Sequence, residues 1–371
     1  MARFAAAIVL LLLTASPALG APGIGLDDAP AAERGPFEER NQLPFDLLFL
    51  AFPARGGRTL LPGEQQFLVS QTYSNTLIGS DIFFTDLDPA SGARQHLSPM
   101  LVAAAQASHP GRSLFFLDLE HGRTELRWRA GVFRWLELGA EVPFLSYRGG
   151  SFDGLIESYH RRLGLPSGGR DLFVRDRVGI ALTWDDEIYF AGASPSLFQI
   201  GDVSLFGRIP LRQSPRGDLA LSAAVKLPTG NAENLGGSGG ADYGLEVEGT
   251  GRWGRQRLHG AAGWVLPGGW SLFPRFEPAR MWSLLAGYEF LSKRRLSWIV
   301  QVQSQSSVFH GWRQADPDLS RPSSELLVGL KRSGRNEIWT FEAAVIEGLF
   351  DQNNAVDIGI RTGVSRRFPG R

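Results

Sequence analysis

Cysteine is absent from the 371 residues. Its absence excludes disulfides, zinc–thiolate sites and cysteine nucleophiles together, and it suits a chain exported through an oxidising compartment. Net charge is absent too: 38 basic residues balance 38 acidic ones, so no electrostatic footprint for nucleic acid is present. No run reaches the roughly 18 uninterrupted apolar residues of a transmembrane helix, and the mean hydropathy of −0.09 is far below that of a helical membrane protein. Gly-rich phosphate loops, paired-histidine metal spacings and the Gly-x-Ser-x-Gly elbow are all missing. No cofactor, no metal and no catalytic residue is expected.

What the chain does have is glycine, 45 residues, and 11% aromatics. It also has a period of two. In Leu219-Ala220-Leu221-Ser222-Ala223-Ala224-Val225-Lys226-Leu227 and in Arg123 to Val132, apolar residues alternate with polar, charged or small ones. Successive side chains of a β-strand point to opposite faces, so each segment has one greasy and one wet face. Read back from the C-terminus, strands are expected at 355–368, 336–347, 323–332, 296–309, 281–291, 256–266, 241–253, 218–228 and 198–211. Short turns alternate with longer loops, the pattern of a transmembrane barrel with its short turns periplasmic. Upstream, strands at 65–73, 113–120, 123–133, 136–147 and 173–185 no longer give clean alternation of turn lengths. Taken literally, they put the 148–172 connection on the periplasmic side. An extra strand near Ile188–Phe190, or one long strand across His121-Gly122, moves it outside. The fold class expected is all-β: a transmembrane antiparallel up-and-down β-barrel of about 12–14 strands, with one short helix in a connection.

Three regions follow. Residues 1–20 read as a signal peptide: Arg3, the apolar run Phe4 to Leu13, and Ala18-Leu19-Gly20 before a cut at Ala21. Residues 21–63 read as a flexible N-terminus and an irregular, proline-broken lead-in at the periplasmic side or barrel mouth; residues 64–371 form the barrel. The protein is expected in the outer membrane of a Gram-negative bacterium, in contact with its lipids.

With the apolar phase facing lipid, the other phase lines the lumen: Glu125, Arg127, Arg129, Glu137, Glu141, Arg208, Lys226, Glu246, Glu248, Arg252, Glu289, Glu325, Lys331 and Glu342. An Arg or Lys on the lipid face at mid-membrane costs roughly 2–4 kcal/mol, so these charges must face inward. They either pair across the lumen and brace it shut or line a conducting path; eight acidic and six basic groups predict no strong ion selectivity. Aromatic residues near strand ends, Phe144, Tyr147, Trp184, Trp253, Trp282, Trp298 and Trp339, are expected at the headgroup level. Asp153 can cap a helix over 153–163 whose Phe152, Ile156, Tyr159 and Leu163 share a stripe, with Gly164 at its C-terminal end and Pro166 stopping it. This helix, through Asp153, Glu157 and His160, either covers one end of the barrel or gates it. A lipid-hydrolysing barrel needs His and Ser together on the lipid face; His259, mid-strand, points inward by its phase.

Several segments resemble known families. Gly35-Pro36-Phe37 with Arg40-Asn41-Gln42 and Pro44, then Gly149-Gly150, Phe152-Asp153, Ile156-Glu157 and His160, then Leu227-Pro228-Thr229-Gly230 with the following Gly-Ser-Gly run and Asp242, look like an uncharacterised family of Gram-negative outer-membrane proteins, a domain of unknown function. The third segment is also similar to outer-membrane proteins linked to phenol-degradation operons. The resemblance implies an outer-membrane barrel and names no substrate. The last strand, ending at Phe368 before Pro369-Gly370-Arg371, resembles the signal read by the β-barrel assembly machinery, an expected partner during biogenesis. The leading functional expectation is a non-enzymatic channel or binding protein for a small solute, with the lumen partly plugged by 153–163 or 74–112. A closed structural or envelope-assembly barrel is the alternative, and a lipid-modifying enzyme the third reading.

Overall fold

The computed structural model describes residues 34–85, 93–150, 152–164, 169–184, 187–191, 198–293, 295–310, 316–349 and 354–370. The signal-peptide reading of 1–20 lies outside these residues. The strands are β1 (Gln65–Gly79), β2 (Phe115–Phe133), β3 (Leu136–Arg148), β4 (Gly179–Trp184), β5 (Glu187–Ala191), β6 (Gln199–Ile200), β7 (Ser204–Ser214), β8 (Gly217–Lys226), β9 (Asp242–Trp253), β10 (Gln256–Leu266), β11 (Met281–Lys293), β12 (Leu296–Gln305), β13 (Ser323–Ser333), β14 (Trp339–Gly348) and β15 (Ile358–Phe368). Two helices longer than one turn occur among the described residues, α1 (Pro99–Ser108) and α2 (Asp153–Leu163).

Twelve strands close a barrel: β1, β2, β3 and β7 to β15, each antiparallel to its neighbour. Closure is made by β1 against β15, from Gln65↔Phe368 to Asn75↔Ile358. The other three strands lie at the long-loop end. The hairpin of β4 and β5 hangs on the top of β2, from Phe115↔Leu182 to Asp118↔Gly179. The two residues of β6 meet β3 at Phe144 and Leu145. The short connections all fall at the opposite end, which in barrels of this kind faces the periplasm.

Several sequence expectations are corrected. Residues 113–120 and 123–133 belong to one strand, β2, running through His121-Gly122. That places the 148–172 connection at the long-loop end. The strand expected over 198–211 breaks at Gly201-Asp202-Val203 into β6 and β7. Strand β7 runs on to Ser214, past a register shift between Pro210 and Arg212, where proline offers no amide to the ladder. The strand expected at 173–185 shortens to β4, because Arg170–Leu172 forms a 3-10 turn before it. Tyr147 and Trp184 are not in an aromatic belt. Tyr147 is buried and donates to the Leu235 carbonyl at 2.8 Å, and Trp184 packs edge-on against Phe276. Val356 is buried against Phe37 and Ile346 rather than facing outward.

The outer face is greasy. Along β9, Tyr243, Leu245 and Val247 are exposed while Asp242, Glu246 and Glu248 are buried. Exposed large apolar residues occur on every barrel strand except β13, and such a band is a surface made for lipid. Trp128, Trp253, Trp298 and Trp339 stand exposed toward the short-turn end and Trp264 toward the other, where an indole ring meets the headgroups. Replacing Val247, in the middle of β9, by arginine is expected to lower barrel stability by about 2–4 kcal/mol, read as the shift of the urea unfolding midpoint in bilayers; an unchanged midpoint would show that this face is not in lipid.

Candidate functional site

The barrel interior is occupied by the irregular segment that precedes β1. Residues 35–63 were expected at the periplasmic side or the barrel mouth; they run the length of the interior and back. At the short-turn rim the Arg34 amide donates to Glu289 at 3.2 Å, and its guanidinium to Ser297 and Ser333 at 2.9 Å each. Rising along β12 and β13, the Phe37 amide donates to Gln301 at 2.9 Å, Asn41 to Ser323 at 2.8 Å and the Gln42 amide to Glu325 at 2.8 Å. A 3-10 turn, Asp46–Leu48, reverses the chain at the long-loop end. There Phe45 and Phe49 meet Trp270 edge-on, and Phe45 also meets Phe309. Descending, the Leu50 amide donates to Asp242 at 2.7 Å, Arg208 donates to the Gly56 carbonyl at 2.5 Å, and the Leu60 amide donates to Glu137 at 2.7 Å. The segment leaves at Gly131, whose carbonyl accepts from the Gly63 amide at 2.8 Å. A Cβ on Gly131 would stand 2.1 Å from the Leu61 carbonyl oxygen, so only glycine lets the two backbones approach there.

The fourteen charges assigned to the inner phase all sit on the inward side, and twelve are buried; Arg129 and Arg252 are half-buried. Most are paired. Glu125 bridges Arg123 and Arg127, and Glu141 accepts from the same two guanidiniums at 2.9 Å each. Arg208 sits between Glu137 at 2.9 Å and Glu248 at 3.0 Å. Lys226 contacts Asp202 and lies 3.4 Å from Asp242. Lys331 pairs with Glu342 at 3.0 Å and donates to the Pro36 carbonyl at 2.6 Å. Arg129 reaches Glu38 at 3.5 Å and Glu137 at 3.7 Å, and Arg252 holds Asp218. Glu289 lies 3.2 Å from His259 and accepts from Ser297 at 2.5 Å; Glu325 accepts from Gln303 at 2.8 Å. Glu246 keeps one carboxylate oxygen without a partner among the described residues.

Arg123 and Arg361 belong with this set. Both occupy the polar phase of their strands, and that phase was the signal for them. Arg361 joins Glu342 at 2.7 Å to Glu39 at 2.6 Å. Glu38, Glu39, Arg40 and Arg55 carried no signal, because an irregular segment has no period. His259 is buried beside Thr250 at 3.0 Å, so it does not stand on the lipid face. Among the described residues, no three His, Asp or Glu are grouped as metal ligands.

Helix α2 lies at the long-loop end. Asp153 does not cap it; its carboxylate accepts from Arg170 and from the Asp176 amide, each at 2.8 Å. Glu157 is held by Arg94 at 2.9 Å and by Arg175. Gly164 has φ +66°, the left-handed C-terminal position expected of it. The side chain of His160 lies outside the described residues. Burial pushes the Glu157 carboxyl up, and the two guanidiniums more than offset it, holding it down at about 2.

This architecture has a family. Residues 102–368 match the family described as "Protein of unknown function (DUF3187)". The chain belongs to that family. Of the three resembling segments, those at 149–160 and 227–242 lie inside the matched range and 35–44 precedes it. No curated protein matches the DUF3187 chain. Among solved structures it is similar to the COG4313 outer membrane channel of Pseudomonas putida F1, with 12% identity over 84% of this chain and 98% of that one and a TM-score of 0.50. A Pseudomonas aeruginosa FadL homologue matches at 10% identity, over 90% and 99% of the two chains, with a TM-score of 0.36. The Ralstonia pickettii toluene transporter TbuX matches at 10% identity, over 92% and 96%, with a TM-score of 0.38. At 12% identity the likeness to the Pseudomonas putida channel is one of fold alone, the outer-membrane β-barrel.

Two outcomes are expected. Arg361→Gln leaves Glu39 without its ion-pair partner and Glu342 with Lys331 alone, and losing one partner of a buried ion pair costs about 3–5 kcal/mol; the urea midpoint should fall accordingly, and a negligible fall would mean that water reaches the cluster. The Glu157 clamp works through a depressed carboxyl, so its stabilisation is complete above the ordinary carboxylate range and is lost as pH falls through about 2. Protease cutting within 153–175 should stay slow at pH 4.5 in the native chain and speed up in Glu157→Gln at that pH; equal rates would remove the clamp.

Proposed function

We propose that this chain is an outer-membrane channel for small solutes, non-enzymatic, whose lumen is closed by residues 34–62 and opened when that segment shifts. Residues 1–20 act as the export signal, β15 is presented to the β-barrel assembly machinery, and the greasy band seats in outer-membrane lipid. The observation carrying this reading is that both ends of the inner segment lie at the same rim, Arg34 beside Glu289 and Gly63 on Gly131. A segment anchored at one rim and joined to the wall by individual hydrogen bonds and ion pairs, not by a β-ladder, can move without breaking the barrel. In this reading α1 and α2 cover the outer end. A closed structural barrel is the second reading, favoured by the density of ion pairs around Arg127 and Arg208.

Planar-bilayer recording separates the two. The refolded chain 21–371 should be silent or show brief small steps, and a variant lacking 34–62 should give discrete ohmic steps. Because the deletion can impair folding, the double variant Glu39→Gln/Arg361→Gln provides a second test, with more frequent openings expected. Folded variants, checked by heat-modifiable migration, that all stay silent would overturn the channel in favour of the structural barrel.

A further inference from the structure

The inner segment does not fill the short-turn end. Between its two arms, Arg34–Glu38 and Arg55–Leu60, and the wall of β1 and β13 to β15 lies a cavity of about 460 Å³. Its lining includes six cationic side chains, Arg34, Arg55, Arg58, Arg129, Lys331 and Arg367, against three acidic ones. Two of the acids are already engaged: Glu38 with Arg129, and Glu342 with Lys331 and Arg361. The third, Glu337, is exposed on the β13–β14 turn. By count the lining carries three more cations than acids, with Arg367 paired to Glu64 outside it, although the interior set read from strand phase is net acidic.

Arg55 is the informative residue. It is 7% exposed, and its Nε and Nη1 have no hydrogen-bond partner among the described residues. Its guanidinium lies over the Phe206 ring, 3.7 Å from the centroid, which holds the planar fork, and Glu248, Glu38 and Glu246 supply the negative charge around it without filling those donors. A buried guanidinium with unused donors is costly, and the group that relieves it is an oxyanion. The same lining includes Pro36, Leu60, Leu68 and Ile338, so the space beside the cations is partly apolar. Cations on one side and an apolar wall on the other fit a carboxylate carried on a hydrocarbon body better than a mineral anion.

We propose that this cavity is a binding site for a small organic carboxylate, with Arg55 as its principal partner and Arg58 at its open edge. As a step in passage it rests on the channel reading above. As a binding site it does not, so the test is binding and not conductance.

The experiment is calorimetric titration of benzoate, and separately of inorganic phosphate, into the refolded chain 21–371. Benzoate should bind saturably, about tenfold more weakly in Arg55→Gln and about threefold more weakly in Arg58→Gln. Binding should be unchanged in Arg212→Gln, an exposed arginine outside the cavity. Phosphate should bind more weakly than benzoate. If Arg55→Gln fails to show heat-modifiable migration, Arg58→Gln, whose native side chain is exposed, decides alone. No saturable benzoate binding, phosphate binding as tightly as benzoate, or unchanged affinity in the folded cavity variants would each overturn the proposal. A barrel silent in bilayers that still binds benzoate would fail the channel reading and leave this site standing.

Discussion

Everything inside this barrel depends on neutralising charge where neither lipid nor bulk water can do so. The polar phase of twelve strands brings Arg127, Arg208, Lys226, Arg361 and their acidic neighbours into a closed space, each nearly or wholly buried. A buried charge is tolerable only when it is paired and its hydrogen bonds are filled. Wall partners do part of this, and the inner segment does the rest. Glu39 answers Arg361, the Gly56 and Pro36 carbonyls answer Arg208 and Lys331, and the Leu50, Leu60 and Gln42 amides answer Asp242, Glu137 and Glu325. The same arrangement explains why the segment forms neither helix nor strand. Its backbone groups are used one at a time against side chains, and Pro36, Pro44, Pro53 and Pro62 remove four donors that a ladder would need.

Strand phase made the C-terminal two thirds of the fold legible, because there one face meets lipid and the other does not. It failed upstream for a reason visible in β2. From Phe115 to Arg123 every residue is buried, so alternation vanishes. The outer side of that stretch is covered by protein: Phe116 packs with Phe83, Val102, Phe173 and Ala181 in a cluster that α1 and the β4–β5 hairpin help to build. There the apolar Leu117 and Leu119 belong to the interior cluster while Asp118 and Glu120 are buried on the other side, so the phase that marks lipid elsewhere is reversed, and the His121-Gly122 pair then imitates a turn. Tyr147 and Trp184, aromatic residues at strand ends, face protein for a different reason: both pack into the interior cluster around Trp270 and Phe276.

The inward charges were legible for the same reason as the strands, and their partners only where those partners sat on strands. Arg123 and Arg361 share the polar phase with Glu125 and Glu342. Arg55 and Glu39 do not lie on any periodic element, and their importance comes from where a chain without regular structure is led by the groups it must satisfy. Helix α2 was placed correctly by its stripe and by Gly164, yet its ion pairs with Arg94, Arg170 and Arg175 join segments distant in sequence, beyond the reach of local pattern.

The turn of the inner segment and its two arms are held by different physics, and that difference sets how it can move. At the outer end Phe45, Leu48 and Phe49 are fully buried with Trp270 and Phe309. Withdrawing three such side chains into water costs about 1.5–3 kcal/mol each, a sum comparable to the whole stability of many domains. At the inner rim the arms bearing Arg34 and Arg58 border an open cavity, where contacts between charged groups can be exchanged for water at little cost. Movement that begins at the rim, while the aromatic turn stays seated, therefore needs much less energy than withdrawal of the whole segment. An opening of that kind widens the space around Arg55 first.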